Sequence, residues 1–157
     1  MEHLKDKNTI KALSLSDAGI VHGFREKFNV IESYGIDMIF CNDDEAIAFS
    51  GKDTLEEAIE FYKKQPYLMA ITRGGDGSVV IKDGELTSSP AESISPVDTN
   101  GAGDMFAGSF LYALLQDNDL RYCAEFANYG ASKVVETFGP RLSQQSYRQV
   151  LKNYKKS

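Results

Sequence analysis

Asp98-Thr99-Asn100-Gly101-Ala102-Gly103-Asp104 runs directly into Met105-Phe106-Ala107-Gly108-Ser109-Phe110-Leu111. Two glycines and an alanine strip side-chain bulk from a turn. Behind it, Met105, Phe106, Phe110, Ala113 and Leu114 recur at helical spacing. The stretch therefore predicts a tight turn that opens a helix. The N–H groups of Gly101, Ala102 and Gly103 would fall in the first helical turn or just before it. There they lack intrahelical partners and meet the positive end of the helix dipole, a combination that binds anions. Asp104 at the same place would repel a bound phosphate. It makes sense as a base that takes a proton from a hydroxyl attacking that phosphate. The simpler alternative is a tight loop with Asp104 as a helix cap.

Working outward, apolar runs and helical patterns alternate. Ile10 to Leu15 reads as a buried strand, and Ile20 to Tyr34 as one helix stopped by Gly35. Met38 to Cys41 is a second strand, followed by a brief helix over Asp44 to Phe49. Thr54-Leu55-Glu56-Glu57 is a capping box that opens a helix ending before Pro66. Tyr67 to Thr72 is a third strand. Val79-Val80-Ile81 leads to Asp83-Gly84, a hairpin signal, with a meander expected through Ser95. Three helical segments follow the glycine turn, the last starting near Ser143. This order implies an α/β fold with a mostly parallel sheet covered on both faces.

Such sheets bind ligands beyond the C-terminal ends of their strands. Two further polar groups sit at such ends. Asn42-Asp43-Asp44-Glu45 follows the second strand, and Asn42 and Glu45 share one side of a helix start. An acid-rich helix N-terminus is the plain reading. An amide and a carboxylate also suit the water-rich shell of Mg²⁺. Thr72-Arg73-Gly74-Gly75-Asp76-Gly77 follows the third strand, either as an ordinary turn or as a loop that approaches a nucleotide closely.

The chain has 157 residues and a formal net charge of −6. That balance argues against nucleic-acid binding and against acidic membrane surfaces. Lysines cluster only in Lys5-Asp6-Lys7 and Lys152 to Lys156. No apolar run approaches the roughly 20 residues of a membrane span, and the charged N-terminus is unlike a signal peptide. Cys41 and Cys123 are widely spaced in apolar contexts, which suits buried reduced thiols and a cytoplasmic location. The two histidines, His3 and His22, have no neighbouring ligand candidates. There is no P-loop motif. A dinucleotide fingerprint would need glycine where Phe106 stands. The variant ending at Ala107 keeps an NADP-dependent reductase open, although Pro96 spoils the strand it needs.

Asp98-Thr99-x-Gly101-Ala102-Gly103-Asp104 resembles the signature of the ribokinase-like (PfkB) family of carbohydrate and nucleoside kinases. The resemblance covers nearly the whole of residues 1–157 but only the C-terminal half of such an enzyme. It implies a three-layer α/β/α sandwich from which the N-terminal substrate and lid part is absent. Asn42 and Glu45 match the family's Asn-x-x-Glu motif, associated with Mg²⁺ and phosphates. Thr72, Gly74 and Gly77 match its Thr-x-Gly-x-x-Gly loop along ATP. Asn128 matches a nucleotide-side position.

By the same resemblance, Gly101, Ala102 and Gly103 form the anion hole and Asp104 is the base. Asp98 matches a monovalent-cation position (K⁺), and Thr99 a position near the substrate. Gly139 falls in the family's cation loop, where Pro140 departs from the usual small residue. Ala12 to Asp17 with Phe24 to Phe28 resembles the adenosine-kinase-like branch. The implied activity is ATP-dependent phosphorylation of a sugar or nucleoside hydroxyl. A non-catalytic ADP- or ATP-binding module is the alternative. With its substrate half missing, the chain is expected to self-associate or to pair with that half, and to be inactive alone.

Overall fold

The structure, a computed structural model, describes residues 9–154. His3, the Lys5-Asp6-Lys7 cluster, Lys155 and Lys156 lie outside the described residues. The strands follow the sheet order β1-β2-β3-β4-β5. The chain divides into two compact units, one taking the chain up to Thr72 with Val80–Leu86, the other Arg73–Val79 with Thr87 onward.

In the first unit β1 (Ala12–Ser14), β2 (Met38–Asn42) and β3 (Leu68–Thr72) run parallel. Met38 to Cys41 and Leu68 to Ile71 are buried without alternation. Unbroken burial marks strands covered on both faces. The expected buried strand at Ile10 to Leu15 is instead a short edge strand. Ala12 and Ser14 are exposed, and only Leu15 beyond its end is fully buried. An apolar run alone does not distinguish an edge strand from a central one.

The single helix expected over Ile20 to Tyr34 is two helices, α1 (Ala18–Gly23) and α2 (Arg25–Ser33), broken at Phe24. Gly19 and Gly23 give α1 little helical propensity of its own. Gly35 ends α2 with φ +74°. Helix α3 (Asp43–Ser50) stops at left-handed Gly51. Helix α4 (Leu55–Tyr62) starts at Thr54, whose side chain accepts from the Glu57 N–H. The reciprocal half of the expected capping box is missing, because the Glu57 carboxylate accepts from the Asp53 N–H at 3.2 Å. The buried Tyr62 hydroxyl donates to the Ala46 carbonyl at 2.6 Å and ties α4 to α3.

Strands β4 (Ser78–Lys82) and β5 (Glu85–Ser89) form the expected hairpin. Asp83 and Gly84 both take positive φ, as a two-residue hairpin turn demands. The connections before β4 and β5 are too short for parallel crossovers, so both strands run antiparallel to their predecessors. The meander expected through Ser95 stops at Ser89, and residues 90–100 hold no strand. Pro90 and Pro96 lack the N–H a ladder needs.

In the second unit α5 (Ala102–Leu114), α6 (Leu120–Val135) and α7 (Gln144–Asn153) follow. A Cβ added at Gly130 would collide with the Ser109 Oγ, so α5 and α6 approach closely at that point. Phe106, Phe110, Cys123, Ala127 and Val134 are buried in this unit. Phe126 and Tyr154 meet edge to face at 5.1 Å. Among the described residues no helix is long and apolar enough to cross a membrane.

Candidate active site

The first unit gathers polar groups where its parallel strands end. Register places Asn42 opposite Thr72 at the last step of β2 and β3. The Thr72 hydroxyl donates to the Cys41 carbonyl at 3.3 Å. Asn42 caps α3, its Oδ1 accepting from the Glu45 N–H at 2.8 Å. Glu45 answers with Oε2, which accepts from the Asn42 N–H at 3.0 Å, and with Oε1, which accepts from Asn42 Nδ2 at 3.2 Å. Glu45 is only 6% exposed. Burial raises its pKa against the lowering effect of the Asn42 N–H bond, and Asp17, Asp44 and Asp43 add to the rise. Asp17, the N-cap of α1, is a carboxylate that sequence reasoning passed over. Its signal was its position just after the first apolar run.

This donor set is hard oxygen in an acidic surrounding. Both Glu45 oxygens are already engaged, so it fits Mg²⁺ held through water rather than by direct ligation. Among the described residues no group of three or more His, Cys, Asp or Glu side chains is arranged to hold a metal directly.

The second unit holds the glycine turn. Gly101 is the N-cap of α5 at φ +79°, with no side-chain cap. An added Cβ there would strike the Pro140 carbonyl, so glycine is required twice over, by conformation and by space. Gly103 and Asp104 are exposed. A Cβ at Gly103 would meet nothing. The first-turn N–H groups have no partner within the helix. The Ala102 N–H turns back to the Thr99 carbonyl at 3.3 Å, so its part in the expected anion hole is already partly spent.

Distant loops hold the turn in place. The Val97 and Asp98 N–H groups both donate to the Val135 carbonyl, at 2.9 and 3.2 Å. Asp98 Oδ1 accepts from the Asn100 N–H and Oδ2 from the Gly139 N–H, each at 3.0 Å. Those N–H bonds, Asn100 first and Gly139 second, hold the Asp98 carboxyl below its ordinary range. Asp98 is thus a latch between two loops, and K⁺ is not needed to explain it. Thr99 is exposed beside it.

Gly74, Gly77 and Asn128 also lie in this unit. Gly74 takes φ +52° with open space around it. Gly77 takes φ +87°, and an added Cβ would strike the Ser89 carbonyl. Asn128 Nδ2 donates to Ser89 O, Ser89 Oγ and Pro90 O at 3.0 to 3.1 Å. Asn128, expected on the nucleotide side, therefore spends its amide hydrogens on the chain between β5 and the glycine turn. It fixes the segment that Gly77 touches.

A cavity of about 610 Å³ opens in the second unit against one side of α5. Asp104, Met105, Ser109 and Tyr112 line it from α5, with Phe126 from α6 and Arg141 from the loop before α7.

The model of the pfkB family of carbohydrate kinases matches residues 1–146. The chain belongs to this family. Among pfkB relatives, adenosine kinase of Schizosaccharomyces pombe is 28% identical over 90% of this chain and 46% of its own length. The solved adenosine kinase from Sinorhizobium meliloti is 32% identical, with a TM-score of 0.82 over 89% of this chain and 44% of that one. Ribokinase from Thermotoga maritima, at 23% identity, shares the fold alone, with a TM-score of 0.73 over 97% of this chain and 52% of that one. The fold is thus ribokinase-like α/β, and the chain is similar to adenosine kinases. It spans about half the length of these pfkB relatives.

Proposed function

We propose that this chain carries the nucleotide and catalytic-base portion of an ATP-dependent kinase acting on a sugar or nucleoside hydroxyl, with a nucleoside such as adenosine as the first acceptor to test. One observation carries the reading. Asp104 stands exposed in the first turn of α5, beside a left-handed Gly101 and a bare Gly103. Gly103 forfeits up to about 1 kcal/mol of helix propensity relative to alanine, although a Cβ there would meet nothing, so packing does not account for the glycine.

In this reading Asp104 removes the proton from the acceptor hydroxyl. The freed oxygen forms a bond to the γ-phosphorus, the bond from that phosphorus to the β,γ-bridging oxygen breaks, and ADP leaves with the electron pair. The N–H groups of the Gly101–Gly103 turn stabilise negative charge on the transferred group. The open backbone at Gly74 lies along the nucleotide, with Gly77 and Asn128 holding that loop. Asn42 and Glu45 would hold Mg²⁺ through water, and the ion would supply charge neutralisation on the phosphates. Thr99 neighbours the acceptor. A K⁺ ion near Asp98, a cytoplasmic location and a small-molecule partner complete the reading.

The test is phosphate transfer from γ-labelled ATP across a panel of nucleosides and sugars. A second reading is a nucleotide-binding module without catalysis. Nucleotide binding without transfer to any member of the panel would select it.

A further inference from the structure

Among the described residues, Asp104 and Arg141 are the only charged ones on the wall of the 610 Å³ cavity, and the rest of its lining is apolar, aromatic or neutral. Neither forms an ion pair with the other or with any described residue. The backbone on either side of Arg141 is anchored. The residue two before it, Gly139, donates its N–H to Asp98 at 3.0 Å. The residue before it, Pro140, sets its carbonyl against Gly101. The residue after it, Leu142, is buried at 8% exposure. The backbone that carries the exposed Arg141 is thus anchored on the loop that touches the candidate anion hole, and no carboxylate among the described residues is paired with its guanidinium.

We propose that Arg141 binds the terminal phosphoryl group of ATP, opposite the N–H groups of the glycine turn. This rests on the kinase reading above. A guanidinium offers a planar fork of donors and a charge that does not titrate, which matches two oxygens of one phosphoryl group. The charge of that group is spread over three oxygens during transfer, and the turn N–H groups reach it from one side only. Arg141 shares the cavity wall with Asp104 and is paired with no described carboxylate, so its donors can serve the others.

The test is calorimetric titration of ATP and of ADP, with magnesium chloride, into the whole chain and into Arg141→Gln and Arg141→Lys. Arg141→Gln should lose about ten- to a hundredfold in ATP affinity and leave ADP affinity unchanged. Arg141→Lys should recover part of the loss. The urea midpoint of both variants should match the parent, which separates a ligand contact from a structural role. Equal losses for ATP and ADP, or no loss for either, overturn the assignment while the kinase reading stands. A parent chain that binds neither nucleotide overturns the kinase reading, and this assignment with it.

Discussion

Gly101 and Gly103 sit two residues apart and do different work. At Gly101 a side chain meets both a left-handed backbone and the Pro140 carbonyl. Gly101→Ala should therefore destabilise the chain by about 1–3 kcal/mol, read as a lowered urea midpoint. At Gly103 an added methyl meets nothing and improves helix propensity by up to about 1 kcal/mol. Gly103→Ala should hold or raise the midpoint and weaken ATP binding. Undiminished binding in that variant would take Gly103 out of the site. Asp104→Asn keeps the size of the side chain and removes the carboxylate proposed as the base. Turnover in the active enzyme should fall by about two to four orders of magnitude, with nucleotide affinity equal or higher. A variant with near-normal turnover would remove Asp104 from its role. The glycine pattern was legible in the sequence because small residues and a helix start are local features. Which glycine is structural was not, since that depends on Pro140, far along the chain.

At the scale of elements, the N-terminus of α3 is closed by reciprocal bonds between Asn42 and Glu45. Asn42→Ala should cost about 1 kcal/mol of stability. Glu45 has a raised pKa, so the folded state binds its proton more tightly than the unfolded state does. Its stabilising contribution is full below the unfolded value and is lost as pH rises through the folded one. Glu45→Gln should therefore compare better with the parent at neutral pH than near pH 4, measured by urea unfolding at both. A difference that does not move with pH would mean Glu45 titrates normally. Strands β2 and β3 and the Asp83-Gly84 hairpin could be read in advance, because unbroken burial and turn chemistry are written locally. The edge position of β1, the break at Phe24 and the irregular segment after Ser89 could not. Each depends on which neighbour is present, and composition carries no such information.

At the scale of the molecule, the first unit exposes Ile10, Ile20, Phe24 and Val30, and the edge strand β1 belongs to the same unit. Open edges and exposed apolar side chains invite association. The chain should scatter light as more than a monomer, and Phe24→Lys with Val30→Lys should shift it toward monomer. A parent that is already monomeric at high concentration would contradict this. Cys41 and Cys123 are buried and free. Burial, aided by nearby carboxylates, pushes the Cys41 thiol well up and the Cys123 thiol to about 11. Neither should react with a thiol reagent at neutral pH until the chain unfolds. The latch from Asp98 to Gly139 joins segments 41 positions apart. Closing a loop of that length costs chain entropy that the ordered segments between must offset. The shape of the glycine turn therefore depends on a segment far along the chain. In deuterated solvent the amides of Asn100 and Gly139 should show one shared opening free energy once each rate is corrected for its intrinsic value, a signature of a single opening event.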